Sequence, residues 1–77
     1  MEIIVFANLK NYFPSRFILE QDVNDVAALQ EWLVVQNPAA ASLLKSCRFA
    51  VGNDIVSSGH TLQSADIVAI LPPGSGG

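Results

Sequence analysis

Few side chains in this 77-residue chain are of a type and spacing that could do chemistry. His60 is the single histidine, and no Cys, Asp or Glu stands near it at metal-ligand spacing, so it reads as a surface or hydrogen-bonding residue. Cys47 lies between Ser46 and Arg48, a setting that can lower a thiol pKa, but no motif places a histidine beside it. A small packing residue is the expected role. Asp22 and Asp25 stand where a helix start needs acceptors, which accounts for them without acid–base catalysis. The chain has no phosphate-cradling glycine loop, dinucleotide fingerprint or serine elbow. No metal site is expected. The side-chain inventory is not that of an enzyme acting alone, which leaves binding, or chemistry at a main-chain terminus.

One stretch suits the second option. Pro72-Pro73-Gly74-Ser75-Gly76-Gly77 follows the apolar run Ile67-Val68-Ala69-Ile70-Leu71. Proline cannot donate to a β-ladder and fixes φ, so the folded domain is expected over 1–71 and a flexible tail over 72–77. Gly74 to Gly77 have almost no side chain to pack and should be mobile. Four such residues reach about 13 Å at roughly 3.3 Å each, ending in a slim α-carboxylate. Gly-Ser-Gly-Gly is also the composition of a flexible linker, and those four residues alone do not separate the two readings.

The rest of the chain must position that terminus. It is long enough for one small domain. Hydrophobic residues make up 51% and charged residues 14%, which is globular rather than disordered. So high an apolar share cannot all be hidden in so small a core, so some apolar surface is expected to face a partner. Lys10, Arg16, Lys45 and Arg48 are scattered and outnumbered by seven acids, which argues against nucleic acid. The net charge of −3 suits a partner with a basic surface. A lone cysteine excludes an internally stapled secreted fold. Met1-Glu2 leads straight into Ile3-Ile4-Val5-Phe6 without a signal-peptide pattern, and no apolar run approaches the roughly 18 residues of a membrane span. A cytoplasmic protein is expected, with no membrane partner.

Glu2 to Leu9 predicts a strand, with Ile3, Val5, Ala7 and Leu9 on one face and Ile4 and Phe6 on the other. Arg16 to Glu20 predicts a second, joined to the first as a hairpin. Asp25 is the expected N-cap of a helix whose stripe is Val26, Leu29 and Leu33, running to about Gln36, with Trp32 at the boundary. Asn37-Pro38 stops it and predicts a second, short helix over Ala39 to Lys45, with Asn37 as its N-cap. Arg48 to Val51 and Asp54 to Val56 predict two short strands around Gly52-Asn53, and Ile67 to Leu71 a last one. The first and last strands are apolar on both faces, so both should be central and paired with each other. The fold class is α+β: a mixed sheet of four to five strands packed on one main helix plus a short second helix.

Motifs spread along the whole chain carry a resemblance. They are Phe6-Ala7, Val26-x-Ala28-Leu29, Ala50-Val51, Val56-Ser57-x-x-His60-x-Leu62, Asp66-x-Val68-Ala69 and Pro72-Pro73-x-x-Gly76-Gly77. In these the sequence resembles the molybdopterin synthase small subunits, the MoaD branch of the MoaD/ThiS ubiquitin-like sulfur carriers. The resemblance implies a β-grasp fold. It implies that Gly77 is the reactive residue: a MoeB-like, E1-like adenylating enzyme uses ATP and Mg²⁺ to join the terminal carboxylate to AMP. A sulfur donor then displaces AMP to leave a thiocarboxylate. The carrier itself binds no cofactor. It further implies a MoaE-like large subunit as partner, in a two-plus-two assembly in which sulfur passes to a pterin precursor for the molybdenum cofactor. By position Phe6, Ile55 and Leu71 match the family's apolar contact patch, with simple core packing as the alternative, and Pro72 to Gly76 form the threading tail. Where the family has Asp-Gly-Asp before the last strand this chain has Ser64-Ala65-Asp66, which predicts a different turn, since Ala65 accepts a positive φ poorly. Related carriers for thiamine or tRNA thiolation share the chemistry; an interaction domain with an inert tail does not.

Overall fold

The computed structural model describes residues 1–74; Ser75, Gly76 and Gly77, and the roles assigned to them, lie outside the described residues. Five strands form one sheet: β1 (Glu2–Val5), β2 (Arg16–Ile18), β3 (Arg48–Val51), β4 (Asp54–Val56) and β5 (Ile67–Leu71). Their order is β2-β1-β5-β3-β4. β1 and β5 pair in parallel, with Ile3 opposite Val68 and Val5 opposite Ile70, and the other pairings are antiparallel. The two strands that the sequence marks as central are neighbours in the middle of the sheet. The fold is the expected β-grasp type.

α1 (Val26–Gln36) and α2 (Ala41–Ser46) cover one face. Asp25 caps α1 as expected: the Ala28 N–H donates to its Oδ1 at 2.8 Å. Val26, Leu29 and Leu33 turn inward against Ile3, Val5, Val68 and Ile70, with Leu44 arriving from α2, all essentially without solvent contact. Burying one such side chain contributes roughly 1.5–3 kcal/mol. Trp32 packs at the edge of this core, as its place beside the stripe implies.

Three expectations need correction. β1 stops at Val5, and Ala7–Asn11 forms a 3₁₀ turn instead of continuing the strand to Leu9. Leu9 is fully buried nonetheless, so apolar residues at alternate positions imitate a longer strand while the last enters the core from a helical turn. β2 is shorter than expected and ends at Ile18, although the Leu19 N–H still donates to the Met1 carbonyl at 2.8 Å. Asn37 does not cap the next turn; its Nδ2 donates to the Tyr12 carbonyl at 3.1 Å and ties the end of α1 to the β1–β2 connection. A 3₁₀ turn, Pro38–Ala40, therefore precedes α2, which begins two residues later than predicted.

The turns follow their residues. Gly52 takes φ +64° in the two-residue β3–β4 loop. Ala65 is not at positive φ; the turn before β5 closes through the Asp66 N–H to the Gln63 carbonyl at 3.0 Å and the Gln63 N–H to Asp66 Oδ2 at 2.7 Å. Ala7 is the one described non-glycine residue at positive φ, +53°, and this reversal ends β1. An L-residue there stores about 1–2 kcal/mol. Ala7→Gly removes that strain but frees the unfolded chain, so unfolding free energy should stay within about 1 kcal/mol of the original. Ala7→Val should lose at least about 1 kcal/mol, because a β-branched residue resists this conformation. Chemical denaturation of the two variants measures both.

Candidate functional site

Among the described residues no helix lies over the sheet's second face. The register sets across it a rank of Arg16, Ile4, Ala69, Ala50 and Ile55, one residue from each strand. A second rank holds Ile18, Glu2 and Ile67. At the end where the tail leaves, Leu71 stands opposite Arg48. Phe6 follows Val5 with extended backbone (φ −126°, ψ 162°), so strand alternation puts it on this open face, level with Leu71. Central position thus does not mean cover on both sides: Ile67 of β5 is 51% exposed, and Ile18 of the edge strand β2 is 65% exposed on the same face.

The residues expected at a partner contact lie together around the tail root. Ile55 is 54% exposed and Phe6 40%, while Leu71 is half-buried. Ser46, Arg48, Ile55 and Leu71 line a surface depression that the chain from Pro72 to Gly74 completes. Pro72 is buried, so the packed body continues one residue past β5; Pro73 and Gly74 are exposed, and Gly74 turns at φ +72°. Ile4, Ile18 and Ile67 share the open face and were not singled out from the sequence. Their signal was present: strands apolar on both sides within a chain too small to cover both.

His60 is exposed and contributes its main chain, its N–H donating to the Ser57 carbonyl and its carbonyl accepting from the Val26 N–H, both at 3.1 Å. Cys47 is half-buried, its Sγ donates to the Leu43 carbonyl at 3.2 Å, and burial pushes its thiol pKa up, which lowers the thiolate fraction at neutral pH. No cluster that could hold a metal ion occurs among the described residues. Arg16 Nε meets Glu2 Oε2 at 2.7 Å, a surface pair of an exposed Arg16 and a half-buried Glu2, worth about 1 kcal/mol. No described helix is long and apolar enough to cross a membrane.

The architecture matches a solved structure, SAMP1 from Haloferax volcanii, with a TM-score of 0.77 over 99% of this chain and 97% of that one, at 21% identity. At that identity the likeness concerns the fold. No curated protein matches the sequence. The model of the ThiS family matches residues 3–77, from β1 through the final glycine. The chain belongs to the ThiS family of ubiquitin-like sulfur carriers.

Proposed function

We propose that this carrier is the small subunit of molybdopterin synthase and that Gly77 is its reacting residue. The observation that carries the reading is that the family match runs through to Gly77 while the described body holds no cluster of metal-ligating side chains. A tail within the family match fits a carrier whose chemistry lies at the terminus. The Pro72-Pro73 step supports the molybdenum branch over the thiamine carriers, which usually lack it.

A carboxylate is a poor electrophile, because attack adds negative charge to an anion. An E1-like adenylating partner overcomes this by letting the Gly77 carboxylate displace pyrophosphate from Mg-bound ATP, giving an acyl adenylate. A nucleophilic sulfur donor then expels AMP and leaves the thiocarboxylate. The open sheet face docks the body on each partner, and the tail delivers the sulfur into the large subunit, where a pterin precursor receives it. Alone, the chain is not an enzyme; the working form is a two-plus-two complex with that subunit.

Intact-mass measurement after incubation with the adenylating enzyme, ATP, Mg²⁺ and a sulfur donor should show one oxygen replaced by sulfur. Addition of the large subunit and pterin precursor should then return the carboxylate. A thiocarboxylate that forms but is discharged only by a thiazole-forming enzyme or a tRNA-thiolating enzyme assigns the carrier to that pathway instead. A chain with an authentic C-terminus that never acquires sulfur is not a carrier.

A further inference from the structure

The charges of this acidic chain are segregated along the strand axis. Val5 pairs with Ile70 and Arg48 with Leu71, so the end of β1, the start of β3 and the root of the tail share one pole. Arg48 is exposed there and lines the tail-root depression. Lys45 is exposed in the last turn of α2 and lines the adjoining hollow together with Arg48 and Ile55. Lys10 is exposed in the 3₁₀ turn that follows β1 and Phe6. Arg16, across from Ile4, is the one cation in an ion pair among the described residues.

Five of the seven acids sit toward the other end. Glu2 pairs with Ile67, and Asp66 precedes it; Glu20 and Asp22 follow β2 beyond Met1, and Asp54 faces Val51 at the β3–β4 turn. The other two lie in the helix layer: Asp25 caps α1, and Glu31, exposed on α1, lines a hollow with Lys45.

We infer that the tail pole is built to meet a partner protein whose receiving face is acidic around an apolar centre. The net charge of −3 would suggest a basic partner, but net charge acts only at long range. Screening cuts exposed charges off at about 8 Å in physiological salt, so a docking partner feels the local Lys45, Arg48 and Lys10. Apolar residues share this pole: Arg48 lines one depression with Ile55 and Leu71, Lys45 lines another with Arg48 and Ile55, and Lys10 follows Phe6 in the chain. The segregation also gives the molecule a dipole that turns the tail toward the partner before contact, which raises association rates rather than final affinity. The inference rests on the carrier reading and names the chemistry of the surface that receives the tail.

Stopped-flow association of the full chain with the E1-like adenylating enzyme from the same cells tests it, with Gly77 adenylation followed in parallel. The rate should fall with rising salt. Lys45→Glu/Arg48→Glu should lower it about tenfold or more at low ionic strength, and the gap should close at high salt. Lys45→Gln/Arg48→Gln should give an intermediate loss, with circular dichroism confirming the fold of each variant. Gln21→Glu/Ser64→Asp changes the net charge by −2, as Lys45→Gln/Arg48→Gln does, but at the acidic pole, where both residues are exposed, and should leave the rate within about twofold. A rate indifferent to salt, or an equal loss in the acidic-pole variant, overturns the inference; if Gly77 is still adenylated, the carrier reading survives that result. A wild-type chain that is never adenylated removes both.

Discussion

Deletion of Gly77 is expected to abolish sulfur transfer while leaving the domain as stable as before. Every described strand and helix is complete by Leu71, and Pro72 is the last buried residue among those described. A change five residues further on is expected to leave that core intact, so unfolding free energy should move by less than about 0.5 kcal/mol. The chemistry has no such tolerance. Removing one residue draws the reacting carbonyl back by about 3.3 Å relative to the docked body. A misplacement of only ~1 Å at a reacting atom can cost about 100-fold. Transfer should therefore fall by at least that factor. A single alanine added after Gly77 should do the same, because it pushes the carboxylate outward and places a Cβ beside it. Intact mass reports the thiocarboxylate, and denaturant unfolding reports stability. If the shortened chain transfers sulfur at more than about a tenth of the normal rate, the terminal carbonyl is not the working atom. A stability loss well above 0.5 kcal/mol would mean instead that the tail packs on the body.

How far the sequence reveals this molecule depends on the range of the interaction involved. Asp25, the Val26-Leu29-Leu33 stripe and the Asn37-Pro38 stop define α1 to the residue, because capping, periodicity and the pre-proline restriction act within a few positions. β3, β4 and β5 have the predicted bounds, since Gly52-Asn53 and Pro72 punctuate them. β1 is misread because alternation is weak evidence over eight residues: Leu9 satisfies it while reaching the core from a 3₁₀ turn, and nothing local announces that Ala7 will accept φ +53°. Asn37 is a good cap by type, but the Tyr12 carbonyl, 25 positions away, takes its amide. The same limit holds at the site. Phe6, Ile55 and Leu71 are found through family resemblance, whereas the shared rank of Ile4, Ala69, Ala50 and Ile55 and the separation of charges exist only once the register is set.

That register permits a quantitative expectation for docking. Phe6 and Ile55 lie three strand spacings apart, roughly 14 Å at about 4.8 Å each. They share no contact, so their effects should add. A fully buried Ile or Phe side chain contributes about 1.5–3 kcal/mol. Ile55 keeps 54% of its surface exposed and Phe6 40%, so about half of that contribution is left for a partner to realise at each site. Phe6→Ala/Ile55→Ala should therefore weaken binding to the large synthase subunit by about 1.5–3 kcal/mol, or roughly 10–150-fold in Kd. The other half supports the fold, and its loss, about 2 kcal/mol in total, should leave a domain of this size folded. Neutral truncations keep this test separate from the cationic residues of the tail pole, since neither variant changes a charge. Ile18→Ala is the control: it is the most exposed isoleucine on the same face but sits on the edge strand toward the acidic pole, and should change Kd by less than about twofold. Titration calorimetry of the three variants separates the possibilities. A double variant that binds within about threefold of wild type would move the contact off the tail pole, and an equal loss from Ile18→Ala would spread it over the whole open face.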